Sequence, residues 1–417
     1  MKKLFLKLVL NTAVFIFWIF LIVPTVLYLK EIGTWRAFFS FFIFLYFNVY
    51  IHEFGHVLAA IVVRIPIRRV TIGNGREILR KRIGRIIVVI TNGFSGGNTF
   101  IGPISKKLFK IRCLIIFLGG VVSQLISIVL VMLIFDIQFN ELINIKHLSF
   151  SHAFIYSNLL LIVLNLIPRK ILISGIPVSN DGLQIIKLPF ITSYETQEIL
   201  SAGKHIETYE LYENKQFNEA EIGYKECIEL YPIPLLPKLN LSATYIKQLK
   251  IEETIALLEP LKETYKDDPY KFLLYNNLAW AYMLKFEEQA LEKADEYSKI
   301  AFQLCPQSQY AINTRGCVLI EKGEFEDGIG ILRKTINIRK RVDKKTNNPV
   351  NFIYIAYGHY LKGEYLKALK YARKVEINSE TLDLDDKQVF RHVIVKTENF
   401  KNAQKTGRKE CEISSSL

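Results

Sequence analysis

The chain has 417 residues, half of them hydrophobic, and carries 54 Lys and Arg against 40 Asp and Glu for a formal net charge of +14. Nearly all of that excess lies before residue 190, in short stretches between apolar runs, while the C-terminal half is close to balanced. A nucleic-acid-binding domain would gather its basic residues on a soluble face, so this distribution excludes that class and points to a lipid bilayer as a partner.

Met1 to Lys7 is basic and is followed by an apolar run with no small-residue cleavage site near Tyr28, Leu29 and Lys30, so it reads as a retained anchor. A helix needs about 20 apolar residues to cross about 30 Å of hydrocarbon. Four segments meet or approach that length: 8–29, 37–63, 113–135 and 152–168, the last being the shortest. Lys2, Lys3 and Lys7, the basic residues between Arg64 and Arg112, and Arg169 with Lys170 put the N-terminus, loop 64–112 and the chain after the fourth span on the cytoplasmic side. Loops 30–36 and 136–151 then lie outside.

Between the second and third spans, Arg85-Ile86-Ile87-Val88-Val89-Ile90-Thr91 is β-branched and runs into the glycine-rich Asn92-Gly93-Phe94-Ser95-Gly96-Gly97-Asn98. That pattern predicts a β-hairpin. The hairpin either packs on the helices as structure or offers an edge that aligns an extended substrate, with Gly93, Phe94 and Gly96 as the contact residues.

In His52-Glu53-Phe54-Gly55-His56 the two histidines are four apart, so on a helix both imidazoles leave one face and can bind a single tetrahedral Zn²⁺. Glu53 beside them is placed to take a proton from a water made acidic by the metal. Two His and a Glu in an apolar helix are costly unless they have partners. A catalytic zinc takes three protein ligands, and Asp181 in Ser179-Asn180-Asp181-Gly182 is the leading third, with Gly182 expected to let the backbone turn tightly there. Asp136, Glu141, His147 and His152 fall on the opposite side of the bilayer.

Over residues 37–190 the chain resembles the site-2 protease family of intramembrane metalloproteases. The residues that carry the resemblance are His52, Glu53 and His56, then Asn165-Leu166-Ile167-Pro168, then Asp181-Gly182, with Gly119-Gly120, Ser123 and Gln124 similar to a glycine-containing core helix. The resemblance implies Zn²⁺ held by His52, His56 and Asp181, Glu53 as the catalytic base, and Asn165 lining the substrate site. The substrates it implies are membrane proteins: membrane-tethered regulators or signal-peptide remnants cut within a transmembrane segment. Two departures are visible: residues 169–180 separate the proline from Asp-Gly, which in the family are only a few residues apart, and Gln124 stands where asparagine is frequent.

Beyond residue 200 the chain repeats at a period near 34 residues. Ala220, Tyr224, Cys227 and Pro232 end one unit; Ala294, Ala301 and Pro306 recur at the same offsets; Gly316, Gly323, Phe325 and Leu332, then Gly363, Tyr365, Ala368 and Ala372, mark two more. These positions resemble tetratricopeptide repeats, with a degenerate second unit near Leu241 to Pro269, and the resemblance implies an α-solenoid that binds a cytosolic peptide or protein. The five cysteines have no paired spacing, which suits a reducing compartment.

The expected architecture is mostly α: a polytopic membrane helix bundle with a small β-hairpin (1–190), a solenoid of tetratricopeptide-like hairpins (200–380), and a C-terminal helix with a disordered tail (381–417). The expected function is an intramembrane zinc endopeptidase of the cell membrane with cytoplasmic repeats. The competing reading is a membrane-anchored scaffold whose metal site is not catalytic.

Overall fold

The computed structural model describes residues 35–73, 77–84, 86–91, 97–102, 108–143, 149–173, 176–342, 349–374 and 382–397. The protein is mostly helical, and its internal contacts divide it into one unit of residues 1–170 with 179–190 and a second of residues 171–178 with 191–417.

Three apolar helices build the first unit: α1 (Trp35–Val62), α2 (Phe109–Ile134) and α4 (Phe150–Leu166), each packed against the other two. A short α3 (Phe139–Ile143) lies between α2 and α4. Of the four expected spans, α1 and α2 are long and apolar enough to cross a membrane; α4, with 17 residues, is shorter, and segment 8–29 lies outside the described residues.

The polarity of this unit is partly inverted: beside an apolar core that includes Val121, Ile128 and Ile155, its interior holds polar side chains. Asn48, His52, Glu53, His56, Gln124, Ser157 and Asn158 are buried, while Phe39, Ile43, Phe47, Val129 and Leu133 are exposed. Helices α1 and α2 meet at glycine: a Cβ on Gly55 would lie 2.2 Å from the Gly119 carbonyl oxygen, so no larger residue allows this approach. Helix α4 is tied to α1 by Asn48 Nδ2 donating to Ser157 Oγ at 2.7 Å.

The segment after α1 is not a simple hairpin. It forms a four-stranded mixed sheet of β1 (Ile67–Ile72), β2 (Glu77–Ile83), β3 (Ile86–Thr91) and β4 (Gly97–Ile101), in the order β2-β3-β1-β4. The expected pairing of β3 with the strand that follows the glycine-rich turn does not occur, because β1 inserts between them, parallel to β3 and antiparallel to β4. The tight hairpin falls one strand earlier, where Ile83 pairs with Ile86 across Gly84 at φ 60. Strand β3 buries every second residue, so one of its faces is covered, whereas β2 is exposed along its length and forms an outer edge. Gly93, Phe94 and Gly96 lie outside the described residues.

After α4 the chain runs through β5 (Lys170–Ile173) and β6 (Ile176–Ser179), which pair with each other, and into α5 (Asp181–Lys187).

The second unit is a row of helix hairpins: α6 (Ser193–Glu213) with α7 (Phe217–Leu230), α8 (Leu235–Lys247) with α9 (Ile251–Leu258), α11 (Lys271–Met283) with α12 (Glu288–Leu304), α13 (Gln309–Glu321) with α14 (Phe325–Val342), and α15 (Pro349–Leu361) with α16 (Tyr365–Ala372). The first helix of each hairpin also touches the first helix of the next, which is how a solenoid propagates. Ala220, Ala294, Ala301 and Ala368 are buried where helices cross. Each hairpin turn holds one left-handed residue, in order Lys215, Leu249, Phe286, Gly323 and Gly363. The degenerate second unit has a physical cause: α9 stops at Leu258, and Pro260, lacking an N–H, starts a separate four-residue α10 (Leu261–Thr264).

The expected C-terminal helix is present as α17 (384–397), and it packs into the solenoid core through Val389 and Val393. Residues 398–417, the expected tail, lie outside the described residues.

Candidate metal centre

Helical periodicity places His52 and His56 on one face of α1, and the structure turns that face inward, with both side chains buried. Their Nε2 atoms stand 3.1 Å apart. Asp181 Oδ2 lies 2.9 Å from His52 Nε2 and 3.4 Å from His56 Nε2. Atoms held about 2.0 to 2.1 Å from a tetrahedral zinc are about 3.3 Å from one another, so the three separations match what one such ion needs.

The far sides of the rings strengthen the case. His56 Nδ1 is 2.7 Å from the Ile116 carbonyl oxygen, which can only accept, so the proton belongs on Nδ1 and Nε2 presents a lone pair. His52 Nδ1 meets Gln124 Oε1 at 3.1 Å and is oriented in the same way. Two lone pairs and a carboxylate oxygen then face one point with no donor among them. A cation resolves that arrangement.

Asp181 reaches the histidines because residues 169–180 are not a slack loop. Strands β5 and β6 fold back on each other, so the chain leaves and returns at almost the same place. The Asn180 N–H donates to the Arg169 carbonyl at 3.1 Å, and the Arg169 N–H to Asn180 Oδ1 at 3.0 Å. Asn180 Nδ2 also donates to the carbonyls of Asn165 at 3.0 Å and Ile167 at 2.8 Å, and Asn180 Oδ1 caps α5 by accepting from Leu183 N at 3.1 Å. The insertion is thus clamped at its base.

Gly182 acts differently from expectation. It is not in a left-handed turn but within α5, and a Cβ there would lie 2.2 Å from the Leu166 carbonyl oxygen. Its absence lets α5 seat directly on the end of α4, which delivers Asp181.

Glu53 is buried beside the pair; Thr99 Oγ1 of β4 donates to Glu53 Oε2 at 3.0 Å, and a Cβ on Gly97 would meet the Glu53 carboxyl carbon at 2.4 Å. A Cβ on Gly120 would likewise fall 2.3 Å from the His52 ring. The site is therefore shaped by glycines on the segments facing its reactive side chains. Asn165 contributes its backbone carbonyl to the Asn180 clamp. Thr99, Asn180 and the carbonyl of Ile116 were not readable as site residues; the one available signal was the Asn-Asp-Gly order, which suits a helix N-cap. Among the described residues one other group of metal-type side chains is close-set, Asp383, Asp385 and Asp386 of the second unit.

No protein-family model matches the chain. No curated protein matches it. Among solved structures, the chain is similar to a thermophilic TPR protein from Thermus thermophilus, at 17% identity and a TM-score of 0.36, over 47% of this chain and 99% of that one.

Proposed function

We propose that the chain is an intramembrane zinc endopeptidase of the site-2 protease type, hydrolysing peptide bonds within transmembrane segments of other membrane proteins. The observation that carries this reading is the convergence of His52 Nε2, His56 Nε2 and Asp181 Oδ2, held from behind by Gln124, Ile116 and Asn180, next to the buried Glu53. Zn²⁺, when bound by those three residues, supplies Lewis acidity that acidifies water and polarises a peptide carbonyl. Glu53 takes the proton of the attacking water and passes it to the leaving amine, and Thr99 holds its carboxylate in place. Strand β4 pairs with β1 on one side, and among the described strands its other side is open, so it can align an unwound substrate by strand addition. Unwinding is required because a helix hides its peptide bonds behind its own hydrogen bonds.

A bilayer setting for α1, α2 and α4, and with it a polytopic bundle, is supported by the inverted polarity of this unit. Buried Asn, Gln, His and Glu within a shell of exposed Phe, Ile, Leu and Val suit hydrocarbon and not water. The distribution of Lys and Arg then puts segment 64–112 and the solenoid on the cytoplasmic side of the cell membrane. Membrane-tethered regulators and signal-peptide remnants are the substrate classes that fit, with the helix hairpins engaging a cytosolic part or a regulator.

The test uses purified full-length protein, zinc, and a reporter carrying one transmembrane segment. Cleavage by the wild type and its loss in Glu53→Gln with zinc retained is the expected result. A zinc-loaded wild type that leaves every such reporter intact favours the membrane-anchored scaffold instead.

A further inference from the structure

Helix α17 does not continue the solenoid. A further repeat would touch only the hairpin before it, whereas α17 and the two residues before it touch all five. Asp383 pairs with Lys215, just after α6, at 2.8 Å; Asp385 pairs with Lys247, the last residue of α8, at 2.9 Å. Gln388 Nε2 donates to the Leu284 carbonyl after α11 at 2.9 Å. His392 stacks on Phe286 with ring centroids 3.7 Å apart and sits 3.2 Å from Glu321, the last residue of α13, which Lys396 also holds at 2.7 Å. Tyr360, near the end of α15, donates to the Thr397 carbonyl at 3.3 Å. The segment therefore reaches residues at or just after the C-terminal ends of the first helices of all five hairpins.

The chemistry of this contact is that of a docked ligand. Three apolar anchors, Val389, Phe390 and Val393, are buried on one face, with Phe390 against Phe352. Acids lead the segment and meet lysines. Beneath its other end, Glu321 is nearly inaccessible and finds its partners on α17 itself. The pattern is an amphipathic helix laid on a preformed surface, with charge setting its direction and apolar anchors its register.

We propose that α17 is a built-in ligand of the solenoid, occupying a surface whose external partner is an amphipathic helix of the same design. That partner carries two acids in place of Asp383 and Asp385 and apolar residues four, five and eight positions beyond the second. The inference does not depend on the metal centre.

The probe is a fluorescein-labelled peptide of residues 382–397 titrated into the full-length protein. Val389→Asp with Val393→Asp should release α17 and raise the peptide's affinity at least tenfold over wild type, and adding Lys247→Glu should cancel the gain. Equal affinity for both proteins, with helicity by circular dichroism unchanged, overturns the proposal. A second measurement removes any dependence on how that variant folds: a protease site is placed within residues 375–381 of otherwise wild-type protein and cut. Exchange of the freed C-terminal fragment for labelled peptide, with the hairpins still helical, is the expected outcome. Loss of helicity on cutting, or a fragment that never exchanges, makes α17 a structural part of the solenoid and ends the proposal.

Discussion

The two units of this protein are built from the same element but differ in polarity. In residues 35–190 helices turn Asn48, His52, Glu53, His56, Gln124 and Ser157 inward and leave Phe39, Phe47 and Val129 outside; in residues 191–397 Leu274, Leu278, Ile320 and Tyr354 fill the interior. In water, burial of apolar surface drives helices together. In lipid, apolar contact is available everywhere, so association depends on close approach and hydrogen bonds between helices. On the proposed bilayer setting, this accounts for glycine against backbone in the first unit, as at Gly55 and Gly119, and for Asn48 bonded to Ser157, where the second unit shows alanines between large aliphatic side chains.

Glu53→Gln should lower peptide hydrolysis by about 10²- to 10⁴-fold, the range for loss of a general base, while bound zinc measured by metal analysis stays near one per chain. In the solenoid, Leu278→Ala should cost about 2 to 5 kcal/mol in denaturant unfolding followed by circular dichroism, because a wholly buried aliphatic group is lost. Val129→Ala, on the exposed apolar face of α2, should leave stability in detergent within about 0.5 kcal/mol of wild type, and a core-sized loss there would break the inverted-polarity reading.

Gln124→Leu removes the group that orients His52 Nδ1 and should weaken zinc binding by about 10- to 100-fold in competition with a chelator, leaving the fold intact. A further effect is one of pH. Burial lowers the His205 imidazole to about 4, against about 6.5 when unfolded, so the unfolded chain binds the extra proton between those values. The stabilisation from keeping His205 neutral is complete above about pH 6.5 and is lost as pH falls toward 4. Thermal midpoints should drop by a few degrees over that window, and His205→Gln should flatten the dependence.

Much of this was legible without coordinates. The i, i+4 spacing of His52 and His56 shares a face because a helix repeats every 3.6 residues, and the hairpin phases at Ala220, Ala294 and Ala368 follow from the same local rule. Two of the five hairpin turns declare themselves through Gly323 and Gly363; the other three use Lys215, Leu249 and Phe286, which carry no such signature. The strand order of the sheet is not legible in the sequence, because β1 is a short segment whose partners β3 and β4 both come later in the chain.

By itself the sequence determined the contrast in composition between the two halves, the helices and the histidine pair, since composition and periodicity are local properties that act on each segment alone. Tertiary structure decided what closes the site and what covers the solenoid. The Asp181 carboxylate meets His52 across 129 residues of chain only because a clamped hairpin returns it to the end of α4. Gln124 finds His52 only because Gly55 and Gly119 let α1 and α2 touch. Likewise α17 spans five hairpins only because stacking lines up the ends of their first helices. Each of these depends on a distance between residues far apart in the chain, which no local pattern encodes.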